Sequence, residues 1–271
     1  RYLWLIGLIV PSFAFIAIGG YELTGWGVFL WVGPIIVLGV VPLIDFVAGF
    51  DPTNPPDDVI EQFENDKYYR YITFAFLPIQ YVGFILSMFL IATADWPIIN
   101  RIGLAVTLGF IGGIGINTAH ELGHKKESHE RWLSKIALAQ TFYGHFYIEH
   151  NRGHHVRVAT PEDPASGRFG ETFWEFLPRS VWGSLKSSWE LEKTRLQRLG
   201  KSPWTLKNDV LNAWLMTVVL FGGLTAVFGW YVLPFLIIQG VYGFSLLESV
   251  NYLEHYGLLR QKLASGRYER C

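Results

Sequence analysis

The sequence predicts an all-α integral membrane protein with six transmembrane helices and a cytoplasmic, histidine-rich helical cap. Hydrophobic residues make up 51% of its 271 residues and charged residues only 17%, whereas a soluble domain usually carries about 25% charged residues. Six apolar runs reach the length of roughly 20 residues that a helix needs to cross a bilayer. The net charge of −1 excludes the strongly basic balance that is typical of nucleic-acid-binding proteins.

The six predicted spans form three antiparallel hairpins within a single membrane domain that covers residues 1–271. Short turns join the first span to the second and the third to the fourth, and the sixth span follows the fifth almost directly. Prolines inside several spans are tolerated in lipid when neighbouring groups satisfy the freed carbonyls. We expect the spans at about 2–20, 27–49, 71–94, 98–119, 209–229 and 231–253.

The distribution of positive charge predicts how these spans are oriented. Of the 22 lysines and arginines, 21 lie in the 49–70 loop, in the 119–208 block or at the two ends of the chain. Loops on the cytoplasmic side of a membrane are enriched in lysine and arginine. Both termini, the 49–70 loop and the 119–208 cap are therefore expected to face the cytoplasm, which an even number of crossings allows.

Two stretches of the 119–208 block predict helices that do not cross the membrane. Residues 131–148 are apolar but shorter than a comfortable span, which indicates a re-entrant or interfacial helix. Residues 171–199 have the pattern of a helix on the membrane surface, and they fit equally well a helix packed on the rest of the cap. Their apolar side chains recur at helical spacing with basic residues between them, at Trp174, Leu177, Val181, Leu185 and Trp189.

All eight histidines follow residue 119, and six of them form three candidate metal-binding groups. Residues i and i+4 share one face of a helix, so the pair in HELGH and the first pair in HNRGHH can each bind one metal. The last histidine of HNRGHH points about 100° away on the same helix and can reach another position or a second metal. The candidate ligands are His120, His124, His150, His154, His155 and His255.

The predicted topology brings these three groups together. His120 and His255 lie at the cytoplasmic ends of the fourth and sixth spans, and the other candidates lie in the cap, so all are expected at one membrane face and at similar depth. His129, in a polar turn, is read as a solvent-exposed residue. Side chains beside the ligands are expected to orient the imidazoles, and the candidates are Glu121, Glu149, Glu248, Glu254 and His145.

The histidines alone leave three kinds of function open. HELGH matches the H-E-x-x-H motif of zinc metalloproteases, with Glu121 as the base, but a catalytic zinc takes about three protein ligands. Six histidines suit two metals, and imidazole also suits iron and copper, which favours an oxidative enzyme. A transporter or metal-binding membrane protein without catalytic activity is the third reading. The single cysteine, Cys271, excludes a thiolate zinc or iron–sulfur site within the chain.

The motifs HELGH, EHNRGHH and NYLEHYGL, with TPEDPAS after the second, resemble those of the membrane-bound alkane monooxygenases. These are di-iron enzymes of the integral-membrane histidine-box class, to which fatty acid desaturases and xylene monooxygenases also belong. EHNRGHH and NYLEHYGL are more specific to the alkane hydroxylases than the histidine boxes alone. The resemblance covers nearly the whole chain, and a related fatty acid desaturase is the alternative within the class.

The resemblance implies hydroxylation of the terminal methyl group of a medium-chain alkane to a primary alcohol in a bacterial inner membrane. It implies two non-haem iron ions held by the six histidines, O₂ as co-substrate, and electrons from rubredoxin, which an NAD(P)H-dependent reductase reduces. The family carries a further histidine box after NYLEHYGL. The sequence ends at Cys271 before any such box, so we expect it to be truncated.

Basic residues near the ligands predict where an acidic electron donor docks. Rubredoxins are small and acidic as a class, and electron-transfer encounters tend to be small and transient. A local basic patch would steer such a donor toward the irons, and salt would weaken the attraction. The candidate docking residues are Lys125, Lys126 and Arg168; anionic lipid head groups are the alternative partner for the same charges.

Overall fold

The computed structural model describes residues 2–49 and 66–270, and most of this part of the chain is helical. No β-strand occurs among these residues; the one strand-like feature is an isolated antiparallel bridge between Lys262 and Tyr268. Most of the predicted 49–70 loop, together with Arg1 and Cys271, lies outside the described residues. The predicted all-α class is confirmed.

Six helices in the described chain are long and apolar enough to cross a membrane, which confirms the predicted number of spans. The fourth helix continues four residues past its predicted end, so that His120 lies inside a helix rather than just beyond one. The six are α1 Tyr2–Thr24, α2 Gly27–Ala48, α3 Lys67–Thr93, α4 Ile98–Gly123, α9 Asp209–Phe228 and α10 Trp230–His255.

The chain divides into two compact units. The first unit comprises Arg1–Thr118 and Leu224–Gly243, and the second comprises Ala119–Gly223 and Phe244–Cys271. All six candidate ligands belong to the second unit. The single membrane domain and the cytoplasmic location of the cap stay predictions.

Close helix packing in the first unit depends on a glycine in α2. Thr107 of α4 donates a hydrogen bond from Oγ1 to the Leu30 carbonyl at 2.8 Å and accepts one from the Gly33 amide at 3.1 Å. A Cβ atom on Gly33 would lie 2.7 Å from the Thr107 Cα atom. Small residues at such crossings let helix backbones approach closely inside a membrane, and the approach here leaves no room for a methyl group.

Replacing Gly33 by alanine is therefore expected to destabilise the protein by about 1–3 kcal/mol, the usual cost of overpacking. Thermal unfolding in detergent would measure the loss. Gly39→Ala is the matched control, because Gly39 lies in the same helix and no described atom comes within 4 Å of the added Cβ. Equal unfolding temperatures for the two variants would contradict this packing account.

The second unit adds shorter helices that carry the histidines. These are α5 Ser128–Ala139, α6 Phe146–Glu149, a π-helical turn at His150–His154, α7 His155–Arg157 and α8 Phe173–Arg198. The prediction of one re-entrant or interfacial helix over 131–148 is wrong. The chain turns between α5 and α6, where Phe142 has a φ of 41° and its ring packs against Phe221 and Phe244.

Helix α8 matches the helix predicted over 171–199. It begins at a capping box, in which the Thr172 hydroxyl and the Glu175 carboxylate each accept from the other residue's backbone amide, and such a box satisfies two otherwise unpaired donors. Ser180, Ser184 and Ser188 form a buried stripe along one face. These small side chains allow α8 to pack closely on the histidine-bearing segment that includes α6.

Candidate metal centre

The first two histidines lie at the end of α4, with His120 in its last turn and His124 directly after its last residue. His120 and His124 are one helical turn apart, and their Nε2 atoms lie 3.0 Å from each other. The hydroxyl of Ser134 in α5 donates to the Ala119 carbonyl at 2.6 Å, which holds α5 against this end of α4. His120 Nδ1 lies 3.2 Å from Glu121 Oε1, although the two groups are not aligned for a hydrogen bond.

The next three histidines lie on the π-helical turn and the residue that follows it. In a π-helix the backbone bonds run from i to i+5 rather than i+4, and the His155 amide accordingly bonds the His150 carbonyl. This geometry brings His150 Nε2 within 2.9 Å of His155 Nε2. The rings of His150 and His154 stack with centroids 5.5 Å apart, and the binding of one metal by this pair stays a prediction.

Four histidines converge into one cluster of ring nitrogens. One nitrogen from each ring lies within 4.8 Å of the others, in His120, His124, His150 and His155. Two nitrogen ligands about 2.1 Å from a metal and at right angles are about 3 Å apart. The close pairs measured above have that separation, so the donor set fits a metal ion.

A second pair of histidines lies beside this cluster. The rings of His154 and His255 meet edge to face with centroids 4.9 Å apart. His154 Nδ1 lies 2.9 Å from a carboxylate oxygen of Asp163, and His255 Nδ1 lies 2.8 Å from the Asn251 carbonyl. A hydrogen bond at one ring nitrogen fixes the tautomer and leaves the other nitrogen free for a metal. Both rings therefore have the arrangement that metal-binding histidines show.

Partial burial lowers the pKa of three of the four clustered imidazoles. The buried position of His150, together with the neighbouring His120, lowers its pKa to about 2. Burial also lowers the pKa of His124 and His155. A neutral imidazole has the free electron pair that a metal requires, and nitrogen ligands of this kind suit iron, copper and zinc.

Asp163 is a residue of the candidate site that sequence reasoning missed. Burial alone would raise its pKa, but hydrogen bonds from His154 and from the Ser166 hydroxyl outweigh that effect and lower the pKa below the usual value. The carboxylate is therefore charged and orients His154. The only sequence signal was the position of Asp163 in TPEDPAS, directly after the second histidine box.

The glutamates that were predicted to orient the histidines do not contact them as Asp163 does. Glu149 is buried and pairs with Arg157 at 2.7 Å, and burial raises its pKa. Glu248 accepts hydrogen bonds from the hydroxyls of Tyr143 and Ser180, each at 2.6 Å. Glu254 is exposed. Within the described chain, none of these three carboxylates hydrogen-bonds a candidate ligand.

His145, which was also predicted to orient the ligands, is buried away from the cluster. Its ring packs on Tyr143 and Trp214, and burial lowers its pKa to about 3. His129 is exposed, as predicted. The structure thus assembles the cluster from the end of α4, the π-helical turn and the first residue of α7, and it places His255, at the end of α10, beside the cluster.

Comparison with known proteins identifies the relatives of this chain. The fatty acid desaturase family model matches residues 94–270. Alkane 1-monooxygenase 1 of Alcanivorax borkumensis is 46% identical over 271 residues, which cover 99% of this chain and 67% of the relative. The alkane 1-monooxygenases of Pseudomonas putida and Acinetobacter baylyi are each 44% identical, over 99% and 100% of this chain and 67% of each relative.

The chain belongs to the alkane 1-monooxygenase family. The resemblance that its histidine motifs carry is thereby confirmed, and with it the assignment of the chain as an enzyme of the monooxygenase class.

A partly buried group of charged side chains holds the π-helical turn of this protein in place. The Glu192 carboxylate is fully buried and accepts hydrogen bonds from Arg152 and Arg195. Arg152 also donates to Asp209 at 3.2 Å, and Lys135 donates to the same carboxylate at 2.6 Å. Because Arg152 lies between His150 and His154, these ion pairs determine where the histidine-bearing turn sits.

Replacing Glu192 by glutamine is expected to destabilise the protein by about 1–3 kcal/mol, because Arg152 and Arg195, whose side chains are 36% and 35% exposed, lose the charged partner of their hydrogen bonds. Differential scanning calorimetry in detergent would measure the effect. Glu190→Gln is the control, since Glu190 is exposed on the same helix and pairs only locally, with Lys193 at 3.0 Å. An unfolding temperature for Glu192→Gln equal to that of the control would show that the charge group is not structural.

A basic cavity of about 1000 Å³ lies alongside α8. Seven arginines and lysines line it, against three carboxylates. Arg168, Lys186 and Arg198 are among the seven, and none of them forms an ion pair in the described part of the chain. Asp163 also lines the cavity and contacts His154, so a single residue separates the cavity from a candidate ligand.

Proposed function

We propose that this enzyme hydroxylates the terminal methyl group of medium-chain alkanes to primary alcohols, using O₂ and electrons from rubredoxin. The observation that carries the proposal is the cluster of four histidines with converging ring nitrogens, with the oriented pair His154 and His255 beside it. Membership of the alkane 1-monooxygenase family supports the same reaction. The rubredoxin is reduced in turn by an NAD(P)H-dependent reductase.

The six histidines would hold two non-haem iron ions. His120, His124, His150 and His155 offer converging nitrogens, and His154 and His255 extend the donor set. Bound iron supplies the activation of O₂ that C–H oxidation requires. The protein's own part is to bring the imidazoles together, to lower the pKa of His150 through burial, and to hold the rings of His154 and His255 in place through Asp163 and the Asn251 carbonyl.

The proposed substrate has no polar group for the protein to recognise. Only shape and apolar contact can bind an alkane, at about 0.8 kcal/mol for each buried CH₂ group. An alkane also partitions into lipid, and the six apolar helices place this enzyme there. We therefore propose that the substrate enters from the bilayer.

Two other functions are the alternatives to alkane hydroxylation. A fatty acid desaturase would use a similar histidine cluster, and the family model that matches the chain carries that description. An intramembrane zinc protease using HELGH would need about three ligands and one metal, whereas four histidine nitrogens already converge here. The cluster and the family membership both favour the di-iron enzyme.

The deciding experiment is turnover of octane by the purified protein with rubredoxin, its reductase and NADH under air. Gas chromatography should detect 1-octanol. A terminal alkene instead of the alcohol would indicate a desaturase, and 2-octanol would contradict terminal specificity. Omission of rubredoxin is the control, and it should abolish the product.

We also propose that the active site and both termini face the cytoplasm of a bacterium, with the spans in the inner membrane. The distribution of basic residues supports this orientation. A cysteine introduced at Glu190, which is exposed on α8, should react with an impermeant maleimide only after cells are opened. Labelling of intact spheroplasts at that position would contradict the orientation.

Rubredoxin is proposed to dock at the basic cavity beside α8. An acidic donor there would contact the basic residues that have no ion-pair partner. Only two residues, Asp163 and His154, would then lie between the donor and the metal cluster. Of the three docking residues predicted from sequence, Arg168 lines this cavity, whereas Lys125 and Lys126 are exposed outside it. The proposal keeps all three and adds Lys186 and Arg198.

Replacing Arg168, Lys186 and Arg198 together by serine is expected to slow rubredoxin-driven turnover on the order of tenfold at low salt, because electrostatic steering is lost. Turnover driven by a small chemical reductant should not change. The Lys125→Ser, Lys126→Ser double variant should show the same selectivity with a smaller effect. Equal losses with both reductants would contradict docking at this surface.

A further inference from the structure

Helix α8 is held at both ends by membrane-spanning helices. Near its start, the Tyr252 hydroxyl of α10 donates to the Glu171 carbonyl at 2.6 Å, and the Tyr252 ring lies 5.3 Å from that of Phe176. Near its end, the Glu192 carboxylate accepts from the backbone amide of Asp209 at 2.7 Å. Asp209 is the first residue of α9, so each end of α8 is tied to the end of a span.

These two attachment points lie at the same membrane face. Helices α9 and α10 are separated by Gly229 alone, so they cross the membrane in opposite directions, and the start of α9 lies on the same side as the end of α10. Phe176 and Glu192 are separated by about 24 Å along the helix, given a rise of about 1.5 Å per residue. A helix fixed at two such points lies along the membrane surface and does not cross it.

The outward surface of α8 carries large aromatic side chains. Trp174 is 79% exposed and Trp182 is 63% exposed. Leu177 and Val181, between them, are only partly covered, while the serine stripe of the same helix is buried. Tryptophan is enriched at the interface between lipid and water, where its ring contacts acyl chains and its N–H group remains hydrated.

The composition of α8 also suits the membrane interface. A helix with tryptophan and leucine on one face and polar residues on the other lies in the plane of that interface. Lys186 and Arg198 line the basic cavity, where they face the proposed electron donor rather than lipid. Aromatic exposure and attachment to two spans therefore point to the same occupant.

We propose that the face of α8 formed by Trp174, Leu177, Val181 and Trp182 is inserted in the lipid head-group region of the bilayer. The helix then sets the depth of the histidine-bearing segment on which it packs. This anchoring is independent of the reaction that the metal centre performs. The sequence leaves open whether residues 171–199 form a helix on the membrane surface or one packed only on the rest of the cap. This proposal favours the helix on the membrane surface.

Spin-label accessibility in liposomes tests the proposal. Trp174→Cys and Trp182→Cys would each be made in a Cys271→Ser background and labelled separately. If one variant fails to fold, the other still tests the proposal. Val219→Cys, at a position 65% exposed on span α9, gives the reference for lipid, and Glu190→Cys on α8 gives the reference for water. Retained metal content would show that each labelled protein is folded.

The labels at 174 and 182 should collide with oxygen several-fold more often, relative to a water-soluble nickel chelate, than the label at 190. Their depth should lie between those of the two references. Access to the nickel chelate equal to that at 190 would place the face in water and overturn the proposal. Protection from both relaxants would mean that a protein surface covers the face, which overturns it equally.

Discussion

Replacing His150 by alanine is expected to remove iron binding and alkane oxidation together. His150 contributes to the close pair with His155, and its ring centroid lies 4.4 Å from that of His120, so it joins the two halves of the four-histidine cluster. Loss of a residue that merely orients a ligand costs about 10–100-fold in metal affinity. Loss of a ligand itself should therefore exceed about 100-fold. Competition with a fluorescent chelator would measure the affinity.

His129→Ala is the matched control for this experiment, because His129 is an exposed histidine of the same unit outside the cluster. It should bind iron and turn over substrate as the unaltered protein does. Unchanged iron affinity in His150→Ala would show that the cluster is not the metal site.

Replacing Asp163 by asparagine is expected to lower metal affinity by about 10–100-fold. The charged carboxylate holds His154 in one tautomer through a hydrogen bond of 2.9 Å, and a neutral amide can hold either orientation. The same chelator competition measures the change, and a shift in the electronic absorption of the loaded site would report the altered ligand orientation.

Glu162→Gln provides the comparison for Asp163→Asn. Glu162 is the preceding acidic residue, is exposed, and bonds the Tyr268 hydroxyl at 2.9 Å rather than a histidine. Its replacement should leave metal affinity and absorption unchanged. If the two variants lose affinity equally, local charge rather than the orientation of His154 explains the effect.

The spans were predictable because hydropathy is a property of each segment by itself. An apolar run of the length of α3 or α9 has no other stable solution in lipid than a helix, and the structure has those helices. The extent of the helix predicted over 131–148 was not predictable in the same way. Its apolar residues suit one helix, but the turn at Phe142 depends on contacts with Phe221 and Phe244, which are distant in sequence.

The histidines were predictable as a group, but the close approach of His150 to His155 was not. Their spacing identifies the residue types and the shared location. The π-helical turn, however, pairs His150 with His155, and residues far along the chain fix that turn. Arg152 binds Glu192 and Asp209, which follow it by 40 and 57 residues. Local spacing cannot predict those contacts, and it cannot predict the contact between Asp163 and His154.

Iron content tests most directly whether these histidines hold two irons for oxidation. Protein purified from cells grown with iron and zinc would be analysed by mass spectrometry with inductively coupled plasma, beside the His150→Ala variant. We expect about two irons for each chain of the unaltered protein and a near-complete loss in the variant. One zinc for each chain, or an iron content that the variant retains, would contradict this expectation.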